Sequence, residues 1–493
     1  VTRVLLRIMA AALLLAVSGL IGWRVLAPAE LSASATTPNP PTPSTKLLGV
    51  TSRLNVAPLI VDGTVRVYAA KHQVRADGPV TARAVYTARW SFRRWPEQLS
   101  AVVASGTTVI TRWSDGKLVA IDARTGEVRW RADGPEAPGF AGHRTGAATV
   151  WDPPGLRLAA GTLLVTEGQT LSGYAASTGQ SIWTATVPAG CVDGFTTSGD
   201  AYLCATGVYD ATTGAALTGW PAGPYRPVGC GTSNCDAFRD GAGRGWLATT
   251  AVPRRAPALD DPLATIVGGI VITAVHPDVS LPPPPGVTPG PVSGSSPSAP
   301  AGVTTSAPAG VTTSAPAGVT TSAPPLIPAG ITSSASAGVP PSAPAVAVLT
   351  DSIAVPPSVP AGAAPADVLP SVPAGMSPSA FFPAVAGRTV DGAPLWTTSG
   401  PVRVLGGESE TVLLLTPENM LRGVDVRTGD LKYSMPLRFW PDREDTLDWK
   451  PGLYQVTDGF LAIERLNPDA PDDPESPIYY LATDAVLLIA LPD

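Results

Sequence analysis

Along most of this chain apolar and polar residues alternate in short runs, and turns that contain glycine separate the runs. Alternation with a period of two puts every second side chain on one face, as in a half-buried strand. Leu118, Ala120 and Ala123 mark one such run, Thr125-Gly126 supplies a turn, and Trp130 falls on the returning strand. The same reading gives strands at 266–275, 384–396, 458–465 and 478–491. One stretch is different. Residues 8–23 are apolar apart from Ser18 and glycines, with Arg3 and Arg7 before them and Arg24 after.

The turn is part of a repeat. Gly126 is followed four positions later by Trp130, Gly179 by Trp183 and Gly429 by Tyr433, each glycine preceded by threonine. Fainter copies end at Gly214 and at Gly392, the latter with Asp-Gly in place of Thr-Gly and with Trp396 at the kept spacing. A repeated strand–turn–strand unit buries its apolar faces only against its neighbours, so the repeat predicts radially stacked sheets. An indole on the returning strand fills the space between adjacent sheets. The expected fold is all-β, a β-propeller. Without the N-terminal segment and a low-complexity stretch about 340 residues remain, which at roughly 40–45 per blade is seven or eight blades.

The run Asp115-Gly-Lys-Leu-Val-Ala-Ile-Asp122-Ala-Arg-Thr-Gly126-Glu-Val-Arg-Trp130 resembles the repeat of the pyrroloquinoline-quinone-like (quinoprotein dehydrogenase-like) β-propellers. The resemblance covers roughly residues 50–276 and 385–493. That superfamily holds redox enzymes and non-catalytic scaffolds. For the dehydrogenase branch the resemblance implies a quinone stacked between a tryptophan and a ring made by two adjacent cysteines, with calcium on acidic and amide side chains. No two cysteines are adjacent here, so no catalytic residue carries over. The expectation is a non-catalytic, actinobacterial-type, membrane-anchored member. Arginine, alanine, proline and glycine abundance suits a high-GC genome, in which Val1 is a GTG start.

The N-terminal apolar run predicts export, with residues 1–27 as a retained signal-anchor or transmembrane helix if Arg7 and Arg24 snorkel, and cleavage near Ala29 or Ala35 as the alternative. No cysteine lies close enough for a lipoprotein anchor. Positive charge before the span places the remainder outside the cytoplasm. Residues 28–49, rich in Pro, Thr and Ser, read as an extended linker. Between 277 and 383 the composition collapses to Pro, Ala, Ser, Thr, Gly and Val, and the octet at 298–305 recurs at 306–313 and 314–321. Such a segment buries too little apolar surface to offset its ordering entropy and is expected to be a disordered insertion. It splits the propeller into 50–276 and 384–493, interrupting one blade at a hairpin.

Four cysteines suit an oxidising compartment. Cys191 and Cys204 flank two short strands, and Cys230 and Cys235 close a small loop, so two local disulfides are favoured among three connectivities. His72, His143 and His276 have no metal-ligand spacing, and no catalytic or phosphate-loop motif occurs. Gly241, Gly243 and Gly245 lack the following helix of a dinucleotide loop and read as a turn. In 88–95, Trp90 and Phe92 are expected to point inward and the arginines to solvent. The acidic stretch 467–475 reads as a loop. With Lys+Arg 33 against Asp+Glu 39, a formal net charge of −6 gives no footprint for nucleic acid. The function expected is a membrane-tethered, extracytoplasmic scaffold for an envelope protein or polymer, not an enzyme. It has no catalytic, cofactor or metal residues, and its oligomeric state is open. The alternative is a quinone-dependent oxidoreductase.

Overall fold

The structure is a computed structural model. It describes every residue except 1, 27, 38–46, 84–87, 143–144, 192, 232–233, 276–380, 409, 440–445, 472–475, 477–480, 482 and 493. The expected insertion at 277–383 thus lies outside the described residues except for 381–383, where Phe382 already begins a strand, and His143, His276 and the whole of a second unit, 281–368, lie outside them too.

A helix, α1 (Thr2–Leu26), opens the chain. Strands β1 (Ala29–Ala33) and β2 (Gly49–Leu54) follow. The first hairpins are β3 (Pro58–Val61), β4 (Val65–Ala70), β5 (Gln73–Asp77) and β6 (Trp90–Trp95). The next sheet is β7 (Leu99–Ser105), β8 (Thr108–Trp113), β9 (Lys117–Asp122) and β10 (Val128–Asp133). After a short helix α2 (Ala147–Trp151) come β11 (Leu156–Ala159), β12 (Thr162–Glu167), β13 (Thr170–Ala175) and β14 (Ser181–Thr186). A smaller sheet holds β15 (Phe195–Thr196), β16 (Ala201–Cys204) and β17 (Gly207–Asp210), its fourth strand reduced to a bridge between Tyr209 and Ala216. Then follow β18 (Arg226–Cys230), β19 (Cys235–Arg239), β20 (Gly245–Leu247) and β21 (Arg254–Arg255).

The next sheet has seven strands: β22 (Thr265–Val267), β23 (Ile270–Ala274), β24 (Phe382–Arg388), β25 (Pro394–Glu408), β26 (Thr411–Leu415), β27 (Met420–Asp425) and β28 (Leu431–Pro436). Its fifteen-residue strand β25 pairs with β24 through its first half and with β26 through its second, turning near Gly400. Last come β29 (Lys450–Thr457), β30 (Phe460–Leu466) and β31 (Thr483–Ala490). Every pair of these strands is antiparallel, and apart from β1 on β6 and β2 on β31 each pairs with its neighbour in sequence, so the sheets are meanders. Their inward faces share apolar cores, for example Val61 and Val67 with Phe460 and Leu488. The architecture is an all-β propeller.

What joins one sheet to the next is an aromatic residue laid over glycine. Trp130 on β10 sits against Gly179, in the turn between β13 and β14, where an added Cβ would lie 2.4 Å from the indole. Gly179 also has φ +73°, which L side chains rarely adopt. The Trp130 Nε1–H donates to the carbonyl of Ala176 at 3.0 Å. Trp90 repeats the arrangement on Gly126 and Ala123 O, and Trp396 on Gly429 and Val426 O. Trp183 rests on Gly214, yet its buried Nε1 has no partner among the described residues, at the step into the small sheet. On their other side Trp183, Trp396 and Tyr433 cover Gly173, Gly387 and Gly423 of their own sheets.

Aspartates hold the turns that carry these glycines. Asp122 accepts the N–H groups of Arg124 and Thr125, Asp210 those of Thr212 and Thr213, and Asp425 those of Arg427 and Thr428. Burial pushes the carboxyls of Asp122 and Asp210 up. Hydrogen bonds from Arg129 and the turn at Asp122, and from Thr212 and Thr213 at Asp210, outweigh it and hold both below the ordinary value. Asp425 is lowered by the Arg427 and Thr428 N–H groups.

Three expectations change. α1 is a helix, but among the described residues no helix is long and apolar enough to cross a membrane. The sixteen residues between Arg7 and Arg24 make about 24 Å of helix, against about 30 Å of hydrocarbon. The transmembrane signal-anchor expectation is therefore not supported. Second, the proposed linker over 28–49 is partly sheet. Ala29–Ala33 pairs with β6, and Gly49 begins the strand that pairs with β31. Third, the strands expected at 458–465 and 478–491 share their sheet with a strand from the N-terminal side, Val50 lying opposite Ile489 and Leu54 opposite Val486.

Trp130→Ala is expected to cost about 3–5 kcal/mol in denaturant unfolding as a buried aromatic deletion. Gly179→Ala should also destabilise, and the double variant should cost less than the sum because both remove one contact. Gly392, with nothing near its missing Cβ, should lose only about 1–2 kcal/mol from the backbone on substitution by alanine. Closure by β2 predicts that a variant lacking residues 1–48, which loses only the exposed edge strand β1, melts slightly lower and still cooperatively, whereas one lacking 1–55 melts much lower and less cooperatively.

The lowered carboxyls set an acid limb. A carboxyl whose folded pKa lies below its unfolded value of about 3.9 stabilises above that value, and the contribution is lost as pH falls through the folded pKa. Stability should therefore drop below about pH 4. Asp122→Asn and Asp425→Asn should lower stability at neutral pH and flatten that drop, read from thermal midpoints between about pH 2 and 7.

Candidate binding face

Antiparallel meanders send alternate connections to opposite faces of the ring. On one face are the hairpin turns at 62–64, 106–107, 160–161 and 458–459 and the Asp-x-x-Thr-Gly turns, tied by an Arg124–Asp62 ion pair and by Gly63 N–H donating to Asp458. The other face receives the long connections: 134–155 between β10 and β11, 437–449 between β28 and β29, and 467–482 between β30 and β31.

The 134–155 excursion builds most of what can be described there. α2 packs on β3, β4, β7 and β29, which include the innermost strands of three neighbouring sheets. Its buried side chains are Ala147, Thr149 and Val150. Trp151 Nε1–H donates to the carbonyl of Pro58 at 3.0 Å, and the Thr145 carbonyl accepts from Ala57 N–H at 2.8 Å. The Thr145 hydroxyl bonds to the buried carboxylate of Glu464 on β30, whose second oxygen accepts from Leu453 N–H. The excursion thus reaches across the junction of the last and first sheets.

Arg112 on β8 anchors both ends of it. Its guanidinium donates to the carbonyls of Glu136 at 2.9 Å, Gly155 at 3.0 Å, Thr166 at 3.1 Å and Pro135 at 3.4 Å. Burial pushes its pKa down to about 10, opposed by Glu167 and Tyr174. At neutral pH it remains a cation, and four carbonyl dipoles compensate for its lost hydration. Arg157 fastens the far end, donating to Pro153 O and Asp152.

Beside α2 lies a second group. His72 Nδ1 is 2.7 Å from the Glu97 carbonyl oxygen and its ring stands 4.6 Å from that of Trp95. Ser114 Oγ donates to the Glu97 carboxylate at 3.2 Å and accepts from Gln98 N–H. Gln98 Oε1 accepts from Phe140 N–H, joining this group to the excursion. Arg94 is bidentate on Asp115 and lies over Trp113. In 88–95, Trp90 and Phe92 are buried as expected, but Arg94 is only 13% exposed and ion-paired, not solvated.

The cysteines pair as Cys191–Cys204 and Cys230–Cys235, with no free thiol. Both flank the small sheet: Cys204 ends β16, and Cys235 begins β19 and bridges to Thr197. Gly241 to Gly245 form a turn closed on Asp240. Gly126 and Gly179 sit under indoles of the preceding sheet and Gly429 under Trp396 from the earlier half of the seven-stranded sheet; Gly392, φ +94°, is a turn with open space. Apart from Gly392 the repeat residues pack at the joints between blades, and none of them is among the residues that α2 and its flanks contact. Sequence reading missed Trp90 as the first of the series, as well as Arg112 and Glu464.

The residues present do not fit a quinone held in the dehydrogenase manner: the cysteines stand 13 and 5 positions apart within their disulfides. Among the described residues no three His, Cys, Asp or Glu side chains group to hold a metal ion.

Residues 13–152 match the profile of a family described as outer membrane protein assembly factor BamB. No curated protein matches the chain. Among solved structures, BamB from Moraxella catarrhalis is similar at 11% identity and TM-score 0.36, over 90% of this chain and 100% of that one. A europium-containing methanol dehydrogenase is similar at 10% identity and TM-score 0.35, over 95% and 94%. The quinohemoprotein alcohol dehydrogenase ADHIIG from Pseudomonas putida HK5 is similar at 10% identity and TM-score 0.37, over 92% and 78%. Over 13–152 the chain is thus similar to the pyrroloquinoline-quinone-like β-propeller repeat, and in the structure the Thr-Gly and aromatic positions of that repeat dock one blade on the next.

Proposed function

We propose that the chain is a non-catalytic binding or assembly scaffold of the cell envelope, and that it presents its ligand surface on the face that carries α2. One observation carries this reading: the long connections leave from that face, while short turns close most of the other. Loops on a rigid ring are where recognition is built, because their sequence can vary without disturbing the core. The profile match is to an outer membrane assembly factor, which fits an envelope role. Two disulfides among four cysteines fit an oxidising, extracytoplasmic compartment. We infer that β25 serves as the outer strand of one blade and the inner strand of the next.

The alternative, a quinone-dependent oxidoreductase, is supported by fold class alone, and fold does not carry function. Two measurements separate the readings. Pyrroloquinoline quinone with calcium, titrated into the protein, should leave tryptophan fluorescence unchanged and give no alcohol-dependent dye reduction; saturable binding with turnover would establish the oxidoreductase. A photo-crosslinker at Glu136 on the α2 face should give discrete adducts with envelope protein or polymer in the native host. The same group at Glu127, on the opposite face, should not, and equal labelling from both would sink the assignment of the face.

A further inference from the structure

The two faces of the ring differ in their aromatic residues. Apart from Trp183, which lies in a joint between sheets, the half-buried indoles among the described residues are Trp95, Trp151, Trp220 and Trp246. All of them open on the α2 face: Trp95 ends β6, Trp151 ends α2, Trp220 lies in the connection between the small sheet and β18, and Trp246 follows the turn between β19 and β20. The turns at 62–64, 106–107, 160–161 and 458–459 and the Asp-x-x-Thr-Gly turns of the other face carry no aromatic side chain. A partly exposed ring with an apolar body and a polar N–H is a surface on which a ligand can stack and hydrogen-bond at once.

Trp95 is set among polar groups that the protein leaves open. Lys71 and His72 form the turn between β4 and β5, and Glu97 lies in the connection from β6 to β7. The Glu97 carbonyl oxygen, 2.7 Å from His72 Nδ1, can only accept, so that nitrogen carries the proton and Nε2 of the neutral ring is an acceptor. Among the described residues Nε2 has no partner, and neither has the Trp95 Nε1–H, the Lys71 ammonium or the second oxygen of the Glu97 carboxylate, whose first accepts from Ser114. The His72 ring stands 4.6 Å from the ring of Trp95 and is tilted from it by 57°, so the two make a corner. Two donors and two acceptors thus stand beside an aromatic platform.

The surroundings narrow what can bind there. Lys71 stands with Glu97, and Arg94 is bidentate on Asp115, so the group has no excess of either sign for a phosphorylated or acidic polymer to meet. An apolar ligand would take water from these open polar atoms and give nothing back. An extended peptide has no ladder to join, because the β6 edge is already paired with β1, Ala29 lying opposite Trp95. A saturated ring with a C–H face for the indole and hydroxyl groups around its rim meets each condition, since a hydroxyl both donates and accepts. We propose that Trp95, His72, Glu97 and Lys71 form a subsite for a neutral sugar unit, and that the envelope ligand of this face is therefore a glycan. The inference rests on the reading of the α2 face as the ligand surface and names the class of polymer it takes.

Neutral oligosaccharides of glucose, mannose, galactose and N-acetylglucosamine, about six units long, titrated into the full chain by calorimetry should give saturable binding for at least one, with a Kd of about 1 mM or below. Trp95→Ala should weaken that binding by about tenfold or more. Glu97→Gln, which keeps an oxygen for Ser114, should weaken it by about threefold to tenfold with the thermal midpoint unchanged. Glu127→Gln, on the opposite face, should bind as the native chain does. No saturation by any of these sugars at about 10 mM, binding that Trp95→Ala or Glu97→Gln leaves intact, or tighter binding of polyphosphate or a proline-rich peptide at the same residues would overturn the subsite. Adducts with protein alone from the crosslinker at Glu136 would also overturn the glycan while leaving the face in place, whereas equal labelling from Glu127 removes the face itself.

Discussion

The ring depends on an indole lying between two surfaces that have no side chains. Trp183 and Trp396 are each held against a glycine of their own sheet and a glycine in the turn of the next, and Tyr433 covers the first of these. A large flat apolar surface is removed from water on both faces, while the donating Nε1 reaches a carbonyl beside the second glycine at Trp90, Trp130 and Trp396. Sheet separation is thereby fixed by ring thickness and rotation by one hydrogen bond. Neighbouring sheets are then positioned by the same contact, which is why a repeat so short can specify a large fold. Where the contact weakens, at the unpartnered Nε1 of Trp183, the next sheet has three strands and two disulfides flank it. Covalent links there stand in for part of what packing supplies elsewhere.

A ring assembled from nearest-neighbour contacts has one junction that chain order does not supply. Here it is held in two places. At the rim, β2 completes the sheet of β29–β31, so residues before and after the whole propeller are paired in one ladder. Near the axis, the excursion carrying α2 binds Pro58 and Ala57 of the first sheet and Glu464 of the last. Arg112 makes this possible, because the excursion has little core of its own and is fixed through backbone carbonyls at its two ends. The element that strengthens the junction is thus the element that shapes the proposed binding face.

The parts of this that were legible in the sequence are local ones. Gly-x-x-x-Trp spacing gives the turn, the returning strand and the indole between sheets, and the cysteine spacings give both pairings. The parts that were not depend on contacts far apart in sequence. Nothing in Gly49–Leu54 marks it as the partner of a strand that ends at Ala490. Ala29–Ala33 follows a proline- and alanine-rich junction and buries no side chain, so its pairing with β6 leaves no apolar pattern to read. Arg112 looks like any strand-end arginine until its four carbonyl partners are known. The candidate face was invisible for the same reason, since Thr145 and Glu464 lie 319 positions apart.

Charge distribution along the outer strands then separates holding the ring together from meeting other molecules. Arg94, Arg129 and Arg131 have partners close by in Asp115, Asp122 and Glu30, so these edges are both charged and internally satisfied. Such an edge resists a foreign strand twice, by the charge itself and by the ion pairs an intruder must displace. β14 has neither obstacle, although its sheet shares the same docking contacts through Trp130 on one side and Gly214 on the other. Its exposure is therefore not a consequence of poor packing within the ring. The strand is held in the ring by the two faces of its indole, against Gly173 and Gly214, and not by the hydrogen bond that Trp90, Trp130 and Trp396 make.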